Sequence, residues 1–270
     1  MPIYSCSTSL FKEAPIEEVV GRIAEMGFRE IEIFDDGRPN GWLSDPVRAR
    51  RLIEAAGLRV RTVHSPEAGW DNANPDEAFR EASVRACLAC FGPAAEVGAE
   101  YVICHPNASL NGFRASDYGL CWDRSRRSLE RFAEEARRIG LKVAVENLPS
   151  YGLPRPGARV YEILRLIEEL GEHVGVCLDA GHSNANGLSA ADEALEAGAH
   201  LFALHIQDND GLGKDLHWLP GQGTTDWEAF LRALDALQFT GPRTFEVGPG
   251  QCLEKTLTAL AALRRDWSAR

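Results

Sequence analysis

The sequence predicts an α/β chain closed into a (β/α)8 barrel, and three observations predict it. Eight β-rich runs alternate with helical patterns along the chain, the apolar period switching each time from about 2 to about 3.6. Eight such units in 270 residues match the length of a closed barrel. The first β-to-α turn, SCSTSLFKEAP, carries no glycine-rich dinucleotide loop, which argues against an open doubly wound sheet.

Taken in order, IYSCSTS leads into the helical pattern PIEEVVGRIAEMG, and REIEIFD into PVRARRLIEAAG. LRVRTVHSP precedes PDEAFREASVRACLACFGPAAEVGAE, and YVICHP precedes DRSRRSLERFAEEARRIG. KVAVENLP is followed by ARVYEILRLIEELG, VGVCLDAGH by ADEALEAGA, LFALHIQD by DWEAFLRALDAL, and RTFEVGPG by EKTLTALAALRRDW. Four of these helices close on Gly27, Gly57, Gly140 and Gly171, where a chain leaving a helix needs a left-handed residue. No composition break or low-complexity linker divides the chain, so one barrel domain over residues 1–270 is expected.

Composition narrows the function classes. Apolar residues reach 44% and charged residues 26%, as in soluble globular proteins. A net charge of -11 argues against a large nucleic-acid footprint, because phosphate backbones attract Lys- and Arg-rich surfaces. Seven cysteines show no tight ligand spacing, and Cys87 and Cys90 fall inside a helical pattern as buried thiols do. The odd count suits a reducing cytoplasm. MPIYSCSTSLF lacks the basic and apolar regions of a signal peptide, and no run approaches the ~18 apolar residues of a membrane span. A cytoplasmic location is expected.

In a barrel the C-terminal ends of the strands open into one bowl, where chemistry concentrates. Five of the seven histidines fall at or just beyond those ends: His64, His105, His182, His205 and His217. Carboxylates join them: Glu32 and Asp35 on strand two, Glu146 beside Asn147 on strand five, Asp179 on strand six, Asp215 after strand seven and Glu246 on strand eight. Borderline divalent ions take imidazole nitrogen and carboxylate oxygen together. Glu146, Asp179, His205 and Glu246 come from four consecutive strands and can converge on one ion. Carboxylates crowded this way repel one another unless protonated or compensated by a cation. Trp42, Trp70, Trp122 and Trp218 fall in expected loops of the same face, where an indole suits the C–H face of a sugar ring.

The series HSP, CHPN, VENLP, CLDAGH, HIQD, KDLHWLPGQGTTDW and FEVGPG resembles the xylose isomerase-like TIM-barrel superfamily, and the likeness extends over nearly the whole chain. That group holds sugar isomerases and epimerases, inosose dehydratases and the endonuclease IV type of DNA repair enzyme. The epimerase pattern implies one Mn2+ or Zn2+ on Glu146, Asp179, His205 and Glu246, with His182 touching a substrate oxygen. The endonuclease pattern implies three Zn2+ on those residues together with His64, His105, His182, Asp215 and His217.

The resemblance therefore implies a metal-dependent isomerase or epimerase of a sugar, sugar phosphate or related polyhydroxy ketone. The route is a metal-stabilised enediolate, with Glu146 and Glu246 as acid and base and His182 stabilising charge on oxygen. Glu32, Trp70, Asn147 and Trp218 are the expected substrate contacts. A small carbohydrate is the expected partner; a membrane and nucleic acid are not, and a homodimer is compatible. Alternatives are a trinuclear-zinc phosphoesterase, an inosose-type dehydratase or a sugar-binding relative without turnover. For DNA, Arg38, Arg114, Arg124, Arg126 and Arg127 would have to form a phosphate-binding patch.

Overall fold

The computed structural model describes residues 2–12, 14–35, 41–108 and 114–269; Arg38 lies outside them. Eight parallel strands close in sequence order, β1 (Tyr4–Ser7), β2 (Glu30–Phe34), β3 (Arg59–His64), β4 (Tyr101–Cys104), β5 (Lys142–Glu146), β6 (Val174–Asp179), β7 (Leu201–Ile206) and β8 (Arg243–Phe245), with β8 pairing back onto β1. The expected (β/α)8 barrel is the fold. Ten α-helices surround it among the described residues: α1 (Ile16–Glu25), α2 (Pro46–Ala55), α3 (Glu77–Ala89), α4 (Phe91–Glu96), α5 (Tyr118–Ile139), α6 (Val160–Leu166), α7 (Ala180–Ala185), α8 (Ala190–Ala197), α9 (Trp227–Ala236) and α10 (Leu253–Ser268).

The two helices beyond the expected eight have local causes. The long pattern after β3 breaks at Cys90 into α3 and α4, because Pro93 has no amide hydrogen to give to the preceding turn. DAGH is a strand-to-helix corner: β6 stops at Asp179, whose carboxylate accepts the His182 amide at 2.7 Å and caps α7. The helix after β4 begins at Tyr118, which places Trp122 inside α5, half-buried against the core, and no longer in a loop. Gly27, Gly57, Gly140 and Gly171 all take positive φ, as their positions after helices require.

The main apolar core lies between strands and helices, with Ile31, Ile33, Phe132 and Phe230 wholly buried. A second, small cluster of Ile103, Ala144, Cys177 and Ala203 fills the barrel interior. Strand side chains alternate with period 2, so the residues two further on face the same lumen. They are His105, Glu146, Asp179 and His205. An apolar floor thus lies directly beneath a polar cup. Two register shifts help to phase the walls: Arg61 is the extra residue of β3 opposite Ile31 and Glu32, and Phe202 that of β7 opposite Val176 and Cys177.

Candidate metal centre and active-site cavity

Glu146, Asp179, His205 and Glu246 do converge. Their nearest ligand atoms all lie within 4.8 Å of one another, and all four side chains are buried. His205 Nδ1 lies 3.0 Å from Glu146 Oε1 and 3.0 Å from Glu246 Oε2. The other oxygen of Glu146 faces two further imidazoles, His64 Nε2 at 3.3 Å and His105 Nε2 at 3.2 Å. A third group stands beside these: Asp215 Oδ2 is 3.2 Å from His182 Nε2 and 3.0 Å from His217 Nε2. All nine histidines and carboxylates expected at the metal centre therefore share one cup.

The imidazoles are oriented as ligands are. Each ties one ring nitrogen to an acceptor and turns the other toward the clustered carboxylates. His64, His182 and His217 donate from Nδ1 to the carbonyls of Ser65, Asn147 and Glu246, each at 2.8 Å. His105 Nδ1 faces Glu67 at 3.2 Å, and His205 Nε2 faces Glu32 at 2.9 Å. A further sign of fit is Asp179 Oδ2, a buried carboxylate oxygen with no hydrogen-bond partner, sitting in the inner quartet. The mixed nitrogen and oxygen donors suit a borderline divalent ion such as Mn2+ or Zn2+.

Protonation follows the same geometry. Burial, joined by the negative charges of Glu146 and Asp215 and opposed by His182 and His205, pushes the Asp179 carboxyl up to about 7. Burial also acts to raise Glu146 and Glu246, but the histidines around them, His205 foremost, win; Glu146 falls well below the carboxylate range and Glu246 to about 2. Burial works against charge on His64 and His182, yet Glu146 lifts the first to about 9 and Asp179 with Asp215 lift the second to about 10. His205 and His217 are raised for the same reason.

The cup opens into a cavity of about 490 Å³, walled on its outer side by Trp70, Phe79, Leu148 and Tyr151. Of the four expected substrate contacts, only Trp70 lines it. Glu32 is fully buried, accepting from Thr62 Oγ1 at 2.8 Å as well as facing His205, so it acts behind the cup. Asn147 is fully buried too, bonding the Asp179 backbone through both ends of its amide. Trp218 lies in a separate groove beside α10, walled by Pro249 and Lys255. Trp42 is half-buried against the core in a short 3-10 turn. Arg155 enters the cavity wall, but its guanidinium is spent on Asn107, Pro149 and Ala108 oxygens at 2.7 to 3.3 Å. Of the arginines that a DNA-binding patch would need, Arg126 pairs with Glu130 and Glu169, and Arg127 with Glu77.

Glu67, Gln207 and Tyr151 were missed by the sequence reading. Glu67 follows His64 by three residues, and Gln207 follows His205 by two, the spacing that keeps a side chain on one strand face. The other polar residues after β7 serve the loop itself. Asp208 accepts from the backbone of Gly221 and Gly223, the indole of Trp227 and the hydroxyl of Thr225 at 2.8 to 3.0 Å. LPGQGTTDW is thus wound around one buried carboxylate, and Gly223 is required because a Cβ there would lie 2.0 Å from the Asn209 carbonyl oxygen.

Comparison with known proteins agrees with this architecture. The chain is 27% identical over 251 residues to the uncharacterized protein y4fM of Sinorhizobium fredii, covering 83% of this chain and 78% of that one. It is 30% identical over 189 residues to the probable endonuclease 4 of Oleidesulfovibrio alaskensis, covering 64% and 63%. A D-tagatose 3-epimerase-like protein superposes with a TM-score of 0.84 at 21% identity, covering 99% of this chain and 97% of that one. The D-psicose 3-epimerase of Clostridium cellulolyticum H10 gives 0.83 at 18% identity, covering 99% and 98%. The family model described as xylose isomerase-like TIM barrel matches residues 20–265, and the chain belongs to that family.

Proposed function

We propose that the chain is a divalent-metal-dependent enzyme that isomerises or epimerises a small polyhydroxy ketone. The observation that carries this reading is the meeting of Glu146 and Glu246, from different walls of the barrel, on His205 Nδ1 at 3.0 Å each, beneath a cavity of carbohydrate size. Glu146, Asp179, His205 and Glu246 would hold the ion. Bound there, a divalent cation supplies Lewis-acid polarisation of a carbonyl oxygen. Glu146 and Glu246, both kept ionised, are the groups to take a proton from the carbon beside the carbonyl and to return one. His182 faces the cavity and is the donor for a substrate hydroxyl. Trp70, Phe79 and Tyr151 offer apolar surface to the C–H face of the same molecule. The epimerase names carried by the superposed structures accord with this chemistry.

The test is deuterium exchange. Protein loaded with Mn2+ or Zn2+ and incubated in D2O should label the carbon next to the carbonyl of at least one ketose, and metal-free protein should not. Metal-bound protein that labels no member of a panel of ketoses, inososes and sugar phosphates would sink the reading.

One observation favours a second reading, hydrolysis of a phosphoester. Glu146 Oε2 sits between His64 and His105, and His182, Asp215 and His217 form a group of their own. Three cation sites sharing one cup suit attack on phosphorus better than proton shuffling at carbon. Ion counting separates the two: a single ion per chain supports isomerisation, and three tightly held ions with phosphodiesterase or phosphomonoesterase turnover support hydrolysis.

A further inference from the structure

Gln207 is fully buried, and one amide group of it joins two parts of the cup. Its Nε2 donates to Asp179 Oδ1 at 3.2 Å and to Asp215 Oδ1 at 2.7 Å. The reverse orientation of the amide would set Oε1 against two carboxylates, so the assignment follows from the partners. In each aspartate the amide takes one oxygen and leaves the other to its own group. Asp215 Oδ2 faces His182 and His217, and Asp179 Oδ2 is the unpartnered oxygen of the inner quartet. The site is also built around this amide. A Cβ on residue 181 would lie 2.1 to 2.4 Å from the Gln207 carboxamide atoms, so glycine in the DAGH corner is what lets the side chain reach both aspartates.

We propose that Gln207 is a positioning residue that couples the inner group (Glu146, Asp179, His205, Glu246) to the outer group (His182, Asp215, His217), setting the ligand oxygen of one carboxylate in each. Gln207 does not line the cavity, and it acts only through the two aspartates. The inference rests on the reading that both groups take divalent ions. A neutral substitution that removes the two N–H donors should then weaken ions at both groups together, whereas a residue that merely fills space would affect neither.

The test measures metal binding. Purified wild-type chain and Gln207→Met are stripped, refolding is checked by circular dichroism, and Zn2+ is titrated in competition with a chromophoric chelator, with bound metal counted by mass spectrometry. Glu246→Gln and Asp215→Asn identify which ion belongs to which group. Gln207→Met should weaken binding by about 10- to 100-fold at both groups, the range set by loss of a residue that orients ligands. Gly181→Ala, whose added methyl presses on the carboxamide, should weaken both groups in the same way, and Gln207→Ala replaces Met if the thioether prevents folding. Wild-type affinity in the Gln207 variants, or a loss confined to one group, overturns the coupling while leaving the metal-enzyme reading in place. A wild-type chain that binds no Zn2+ or Mn2+ overturns both.

Discussion

Glu32→Gln should loosen the metal without touching the cavity. Glu32 is fully buried, and its Oε2 faces His205 Nε2 at 2.9 Å, on the side of the ring away from the inner quartet. At this separation and an effective dielectric near 20, two full unit charges would attract by about 6 kcal/mol, and a metal-polarised imidazole carries only part of one. Glutamine keeps an oxygen for His205 and for Thr62 but removes the charge, so only part of that attraction is lost to the metal. Partners of metal-bound histidines are worth about 10- to 100-fold in affinity, equivalent to about 1.4 to 2.7 kcal/mol. Thr62→Val is the control: it removes one donor to the buried carboxylate, at 2.8 Å, and should cost about 1.5 to 3 kcal/mol of fold stability with little change in affinity. Chelator competition measures the affinities, and chemical denaturation of the metal-free chains measures the fold. Glu32→Gln binding Zn2+ or Mn2+ as tightly as wild type would refute the idea that the cup is tuned from behind.

Other consequences follow from the same geometry. Glu146→Gln and Glu246→Gln should each lower turnover by about 10²- to 10⁴-fold, the contribution of a positioned acid or base. Trp70→Ala should cost far less, with metal content measured in parallel so that a lost ligand is not read as a lost base. Metal-free protein should lose stability as pH rises above neutrality: His64 and His182 are raised from 6.5 to about 9 and about 10, so their contribution is full below the unfolded value and lost as pH climbs through the folded ones, whereas Asp179, raised to about 7, has lost its share by then. Metal-loaded protein should show a flatter thermal-melting profile over pH 7 to 10, and a steep fall there in the loaded form would contradict this. Asp208→Ala should destabilise the fold by at least about 3 kcal/mol in urea unfolding, since several donors converge on one buried carboxylate. An unchanged midpoint would mean that the loop after β7 is held by other contacts.

The barrel was legible because each strand and helix repeats its own apolar period, and because five histidines at strand ends are hard to place any other way. The depth of a side chain was not. Glu32 and Asn147 stand at the right strand ends, but period 2 says only which face a residue takes, not whether it reaches the cavity or stops one layer behind it. Glu32 is stopped by His205, and Asn147 by the turn that begins α7. The tryptophans divide for a similar reason. Their predicted loops shrank once α5 began at Tyr118 and residues 42–44 formed a turn against the core, leaving Trp70 as the indole in the cavity wall. Gln207 had a usable signal, its offset of two from His205, but an amide among so many ligand-type residues drew no attention by type alone.

Charge bears on how many ions the cup can take. Six carboxylates converge in and behind it: Glu32, Glu67, Glu146, Asp179, Asp215 and Glu246. One dication among neutral imidazoles would leave that assembly strongly negative in a buried, weakly screened space, which is costly. A one-ion enzyme must therefore keep protons on some of the outer histidines, and His182 beside Asp215 is the first place to keep one. That proton is the one an isomerase can use to donate to a substrate oxygen. A three-ion enzyme has no such need, because the ions themselves balance the carboxylates and each imidazole gives its lone pair to metal. The protonation of His182 in the loaded protein, read from its ring nitrogen shifts by NMR, thus reports the chemistry as directly as the ion count does. A protonated ring goes with proton transfer at carbon, and a neutral, metal-bound ring goes with hydrolysis.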